Sequence, residues 1–278
     1  MADWGTTTGG PTGVSVRTGP FNGAGRLADY WATVYLRTWK GSVISSFLVP
    51  LLYILAMGVL LGGFIEGDPA ELEGATTYLA FVAPGMLAAQ SMTTVFGEVT
   101  YPVMAMIKWQ RIYYSMIATP LTVGDVVMAQ LGFVMFRVGT VSAVFLVVMA
   151  PFGVFTSWWG VIVAFFVQLL IGLAFATPIF ALTSVMKDES IFGIVFRLGM
   201  IPLFLFSGAF FPITNLNPFM EWFARVTPLW QGVDLTRMLV LGQVDVSTAL
   251  VHVIYLGVLA ASCWWLTVRL LHRRLIET

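Results

Sequence analysis

The chain has 278 residues, 58% of them hydrophobic and only 10% charged, and its mean hydropathy is +0.88. A soluble domain carries about 45–50% apolar and about 25% charged residues, so this composition excludes an ordinary soluble fold and leaves a membrane protein. The 14 basic and 14 acidic residues cancel, which gives no electrostatic reason to expect nucleic acid, and the single cysteine, Cys263, excludes an intramolecular disulfide or a cysteine-based metal site.

Residues 1–25 are rich in Gly, Thr and Pro and lack the apolar stretch of a signal peptide, so they read as a flexible cytoplasmic tail. The next segment, RLADYWATVYLRTWK, places Arg26, Asp29, Thr33, Arg37 and Lys40 at helical spacing and Leu27, Tyr30, Trp31 and Val34 on another face. This pattern predicts an amphipathic helix over 26–40 lying along the membrane surface, either as a topological anchor or as a docking element. From residue 26 to 278, the interface helix included, the chain reads as one transmembrane domain. Crossing about 30 Å of hydrocarbon takes about 20 helical residues, and runs of that length recur at 41–63, 78–101, 126–150, 158–183, 191–210 and 247–271. Stretches such as SSFLVPLLYILAMGVLLGG do not alternate, which excludes a β-barrel and predicts an all-α bundle of six spans.

Six spans put both termini on one side. Arg17, Arg26, Arg37, Lys40, Lys108, Arg111, Lys187, Arg269, Arg273 and Arg274 fall on that side, and Arg225 and Arg237 on the other. By the excess of basic residues in cytoplasmic loops, the termini are expected in the cytoplasm of a bacterial plasma membrane. The first outer loop, EGDPAELEG, holds four acids and no base.

Between the second and third spans, KWQRIYYSMIATPLTVGDVV is polar enough to leave the membrane and aromatic enough to rest on its surface. Thr119, Pro120, Leu121, Thr122 and Asp125 form a helix-start signal, the acid completing a capping box, and predict a short cytoplasmic helix that runs into the third span. In that span Arg137 sits near mid-bilayer, where a charge costs about 2.5–3.5 kcal/mol and needs an acceptor; Glu98 and Gln130 are the candidate neighbours. The pattern leaves a structural pair and a cavity lining both open.

After the fifth span, SGAFFPITNLNPFMEWFARVTPLW breaks into two pieces, Pro218–Val226 and Pro228–Leu241, each with proline at its first position and Asn217 or Thr227 as cap. They would reach about 14 Å and about 21 Å, too short to cross, so they are expected to enter the membrane and return.

Enzyme classes fail on inventory. There is no G-x-x-x-x-G-K-[ST] phosphate loop and no G-x-S-x-G elbow, and the two histidines, His252 and His272, do not form H-E-x-x-H. Glu98 is the lone acid within a span, so energy for transport is expected from a partner.

Three stretches then carry a resemblance: FGEVTYPVMAMIKWQRIYYSMIATPLTVGDVV from Phe96, FSGAFFPITNLNP from Phe206, and FARVTPLWQGVDLTRMLVLG from Phe223. From about Arg26 onward the chain resembles the membrane subunit of ABC-2 type exporters, on the branch of the daunorubicin-resistance and nodulation lipo-oligosaccharide permeases. Ala129-Gln130 stands where family members often carry Gly-Glu. The resemblance implies a chain without ATPase activity that binds no cofactor itself, paired with a second identical or related permease copy and two ATP-binding subunits holding ATP and Mg. It implies that 26–40 and Thr119–Asp125 contact the ATPase, that the outer half-helices shape an exit beneath an aromatic collar of Phe206, Phe210 and Phe211, with simple packing between helices as the other reading of these three, and that the solute is a drug, lipid or glycolipid. An ATPase-independent channel or an assembly scaffold is the competing expectation.

Overall fold

The computed structural model describes residues 72–277 and, upstream, Leu48, Leu51, Leu52, Leu55 and Ala56. The expected interface helix 26–40 with Arg26 and Arg37, and most of the expected first span, lie outside the described residues.

Among the described residues the regular structure is helical throughout. In chain order it comprises α1 (Tyr78–Val99), α2 (Tyr101–Met104) continued by a π-helical turn (Ala105–Trp109), α3 (Ile112–Ile117), α4 (Val123–Met149) and α5 (Trp158–Val185). Then come α6 (Ser190–Ile194), a π-helical stretch (Val195–Met200), α7 (Ile201–Leu205), α8 (Pro218–Val226), α9 (Pro228–Leu241) and α10 (Val246–Ile276). Among the described residues four helical stretches are long and apolar enough to cross a membrane: Tyr78–Trp109, Val123–Phe152, Trp158–Val185 and Val246–Ile276.

Helix α5 is the axis of the bundle and packs against α1, α4, α9 and α10. Its buried residues include small ones, among them Gly160, Ala164, Gly172, Ala174 and Ala176, which let neighbouring backbones approach closely, the usual device where lipid removes the hydrophobic drive for helices to associate. The approach is closest at Gly160, where a Cβ would stand 1.8 Å from the Leu239 carbonyl oxygen. The first half of α1 is enclosed as well: every residue from Ala80 to Ala89 is buried.

The expected fifth span, 191–210, is shorter in the structure. Its helical part, Ser190–Leu205, contains a π-helical stretch and would reach only about 24 Å at the α-helical rise. Ser207 is one cause: its hydroxyl donates to Phe204 O at 2.9 Å and accepts from Ala209 N at 3.3 Å, offering the backbone a local alternative to the helix.

The loop after the second span also differs from expectation. Thr122 and Asp125 form the capping box, but the helix it opens is α4 itself, three residues ahead of the expected Val126. The separate short helix is α3, upstream, and Thr119-Pro120 follows its end. A residue before proline is pushed away from helical geometry, so this dipeptide is a stop and not a start.

The Lys108 end of the bundle holds the C-termini of α5 and α10 together, because Arg274 donates to Thr183 O and Ser184 O, each at 2.9 Å. The opposite end holds Glu73, Arg237 and Gln243.

Candidate translocation path and coupling surface

The α8–α9 pair begins twice in the same way. Asn217 Oδ1 accepts from Phe219 N at 3.2 Å ahead of Pro218, and Thr227 Oγ1 accepts from Trp230 N at 3.3 Å ahead of Pro228. In both places proline occupies a first-turn position whose amide would have had no helical partner. The Thr227 hydroxyl also donates to Ala224 O at 2.7 Å, so one residue closes α8 and opens α9.

This corner lies deep. Gly232, one turn into α9, would put a Cβ 2.7 Å from Ile171, which is midway along the 28-residue α5. Tyr255 is the tenth residue of α10, about 14 Å along it, and its hydroxyl donates to Val226 O at 2.6 Å. Gln231 Nε2 donates to Arg225 O at 2.7 Å, while Gln231 Oε1 faces His252 Nδ1 and His252 Nε2 meets Asp234 Oδ2 at 2.9 Å. Side chains thus satisfy corner carbonyls at a depth where lipid could not.

Arg237, counted in the sequence among the bases of the outer side and within the expected half-helix Pro228–Leu241, is 3% exposed inside the bundle. Its Nη2 donates to Gly208 O at 2.6 Å, its Nε to Phe81 O at 3.4 Å, its Nη1 pairs with Glu73, and its guanidinium carbon lies 3.9 Å from the Phe81 ring centroid. One side chain therefore ties the loop before α1, the chain after α7 and α9 into a single unit. A signal for it was available: Arg237 falls four residues after Val233 and three before Val240, on the apolar stripe of α9. Deeper in, Gln168 donates to Thr236 Oγ1 at 3.0 Å and accepts from Ser91 at 2.9 Å, with Ser142 3.3 Å from Ser91, joining α1, α4, α5 and α9 by polar contacts.

Of the aromatic trio, Phe206, Phe210 and Phe211 are each half-buried. Phe210 stacks edge-on against Phe204 at 4.9 Å, and its carbonyl accepts from Tyr78 at 3.1 Å. Here Phe204, a residue outside the trio, is the ring that Phe210 meets.

Glu98 and Arg137 meet across α1 and α4: Arg137 Nε donates to Glu98 Oε1 at 2.9 Å, with the side chains 17% and 21% exposed for Arg137 and Glu98. Gln130 accepts from Tyr113 at 3.3 Å, linking α4 to α3. Removing Arg137 takes this cation away from a Glu98 carboxylate that sits inside a span. Arg137→Leu is expected to cost about 1–3 kcal/mol, and Arg137→Met combined with Glu98→Gln to recover much of it. Thermal unfolding of the unaltered protein and the two variants in detergent checks this.

At the Lys108 end, Lys108 Nζ donates to Glu189 Oε2 at 2.7 Å, and this bond holds the Glu189 carboxyl below its usual range. Thr119 and Pro120 are exposed, Leu121 and Asp125 half-buried; Thr122 N donates to Asp125 Oδ2 at 2.9 Å and Asp125 N to Thr122 Oγ1 at 3.2 Å. From α3, Tyr114 donates to Arg274 O at 3.4 Å, so the helix beside the exposed turn touches the same Arg274 that joins α5 to α10.

Compared with known proteins, residues 27–241 match the family model described as ABC-2 type transporter. Nodulation protein J of Rhizobium meliloti (strain 1021) is 30% identical over 265 residues, 92% of this chain and 96% of that protein. Nodulation protein J of Rhizobium leguminosarum bv. trifolii is 31% identical over 256 residues, 89% of this chain and 94% of that protein. The inner membrane transport permease YadH of Escherichia coli (strain K12) is 23% identical over 257 residues, 87% and 94% of the two chains.

Proposed function

The chain belongs to the ABC-2 type transporter family, and from that premise we propose that it is the permease of an exporter driven by ATP hydrolysis on separate subunits. It pairs with a second permease copy and two ATP-binding subunits that hold ATP and Mg, and it moves an amphipathic drug, lipid or glycolipid. The Lys108 end faces the cytoplasm, as the distribution of basic residues argues. The observation that carries the reading is the α8–α9 corner. Irregular backbone at mid-height of a bundle persists only where protein encloses it or a hydrated path runs past it, and a chain whose task is a path needs such a place.

The chain's part is mechanical. Closure of the ATP-bound partners bears on α3 and on Thr119–Asp125. Tyr114 and Arg274 pass that displacement to the ends of α10 and α5, and α5 carries it to α9 along their whole contact. No bond is made or broken in this chain; two conformations are contacted differently by the partners. Phe206, Phe210 and Phe211 stand beside the corner as part of the outer gate, and Glu98 with Arg137 stands on the path below it.

The test is co-expression with the ATP-binding subunit left untagged. The tagged permease should retain it on purification, and Asp125→Arg, which breaks the capping box and reverses a charge, should abolish substrate-stimulated ATPase and export while the protein still inserts. Retention of neither partner, or solute movement by the purified permease alone in proteoliposomes, overturns the reading in favour of an ATPase-independent channel.

A further inference from the structure

His252 is a buried titratable group that the proposed path and coupling surface leave unused. It lies in α10, its side chain 2% exposed, with Asp234 of α9 2.9 Å from its Nε2 and the Asp234 side chain 18% exposed. Gln231 of α9 faces its Nδ1. The ring also stands edge-on to Trp230, centroid to centroid 5.5 Å, and Arg225 of α8 sits 5.3 Å from the same indole while paired with Glu221 at 2.7 Å. Arg237, on α9 beyond Asp234, is turned to Glu73, and the hydroxyl of Tyr255, on α10 itself, donates to Val226 O. Of the other helices packed against α10, α5 carries no acid, base or histidine, and the two charges of α4 are engaged elsewhere, Asp125 in the capping box and Arg137 with Glu98.

Among the described residues, both groups within hydrogen-bonding reach of the imidazole nitrogens present oxygen. The Gln231 amide can be turned only one way, because its nitrogen is needed to donate to Arg225 O at 2.7 Å, which leaves its oxygen toward Nδ1. Asp234 turns a carboxylate oxygen toward Nε2. A neutral imidazole has one N–H and one bare nitrogen, so in this cage one nitrogen would face an oxygen with no hydrogen between them, an unmet pair in a buried place. An imidazolium donates at both ends. The proton belongs to the ring and not to the carboxylate, because imidazole is the stronger base by roughly two to three powers of ten. Nearby cations do not reverse this: Arg225 and Arg237 each have a carboxylate of their own, whereas Asp234 touches the ring directly.

We infer that His252 and Asp234 form a proton-binding site and that its proton latches α9 to α10. With the proton in place, Arg225 O, Gln231, the imidazole and Asp234 are joined by an unbroken run of donors and acceptors across the two helices, beside the corner where α8 turns into α9. Without it, one of the two ring contacts turns repulsive. Asp234, the more accessible member, is where the proton exchanges with water. The site stands on this chain's own geometry; the permease reading adds only that the Arg237 end faces outward, so that acidity outside the cell tightens the latch.

The experiment uses the full-length chain in lipid nanodiscs, without a polyhistidine tag. The chain has two histidines, so the exposed His272→Gln leaves His252 as the single imidazole, read by nitrogen NMR after labelling with ¹⁵N-histidine. At about pH 7.5, where an ordinary imidazole is mostly neutral, both ring nitrogens should be protonated. With Asp234→Asn added, whose amide can donate to a bare Nε2, one nitrogen should be protonated and the other bare. Thermal unfolding gives the second readout. The folded pair keeps a proton that the unfolded imidazole releases near about pH 6.5, so the midpoint should fall by about 3–5 °C between about pH 6.5 and pH 8 and hold level below that range. Asp234→Asn should fold and lose this dependence. A bare ring nitrogen in the chain that retains Asp234, or the same pH dependence with and without Asp234→Asn, overturns the proton site; should Asp234→Asn not fold, the ring nitrogens of the chain that retains Asp234 decide alone. Neither readout needs an ATP-binding subunit or a solute, so a failure here leaves the permease reading standing, and a failure of that reading leaves the latch.

Discussion

Arg237→Ala is expected to destabilise the folded chain by about 2–3 kcal/mol, among the largest losses of any single side-chain truncation in it. Breaking a buried ion pair by deleting one partner ordinarily costs about 3–5 kcal/mol, because the other is left uncompensated. The lower figure applies here because Glu73 is 31% exposed and can recover part of its hydration. What cannot recover is the buried Gly208 carbonyl, which loses its donor, and the Phe81 ring, which loses the cation over its face. Arg237→Lys should restore little, since one ammonium cannot serve Glu73, Gly208 O and Phe81 O in the forked geometry of a guanidinium. Arg237→Met with Glu73→Gln should recover much of the loss by removing both charges at once. Thermal unfolding in detergent measures the cycle, and an unchanged midpoint for Arg237→Ala would show that the pair does not hold the two ends of this unit together.

That residue also marks where reading the sequence succeeds and where it stops. The starts of α8 and α9 were legible because Asn217-Pro218 and Thr227-Pro228 each combine a capping side chain with a pre-set backbone, and such chemistry is local. The four long spans were legible because their length is imposed by the bilayer. For Arg237 a helix and a side were legible but no partner, because only the contact of α9 with α1 and the loop before it reveals the acceptor, 164 residues away in sequence. Pro120 was misplaced for a different reason. The same residue starts a helix at one position and ends one just after another, and only the course of α3 tells which. The candidate site divides along this line: depth narrowed the neighbours of Arg137 to Glu98 and Gln130, of which the structure pairs Glu98, whereas the network of Gln231, Asp234 and His252 depends on how far α9 descends against α10, which no local pattern records.

Gly160→Ala is the other change expected to have a large effect, and it tests whether α5 and α9 move as one body. The alanine Cβ would stand 1.8 Å from the Leu239 carbonyl oxygen and 2.8 Å from its carbon. A carbon and a carbonyl oxygen rarely approach inside about 3.3 Å, so α9 would have to retreat by about 1.5 Å. The obstacle is backbone within a helix, which cannot swing aside as a side chain can. A shift of that size would break the bond from Gln168 to Thr236, now 3.0 Å, and that from Thr156 N to Val240 O, now 3.2 Å, leaving buried polar groups unmet. Overpacking and lost hydrogen bonds together predict a destabilisation of about 2–4 kcal/mol. Gly97→Ala is the matched control, since its Cβ enters open space and alanine favours the helix by up to about 1 kcal/mol. Should both variants melt alike, the close α5–α9 contact would not be what holds the corner at mid-height. If only Gly160→Ala melts early and loses export while still retaining an ATP-binding subunit, the result supports the proposed transmission along α5, downstream of the proposed coupling surface.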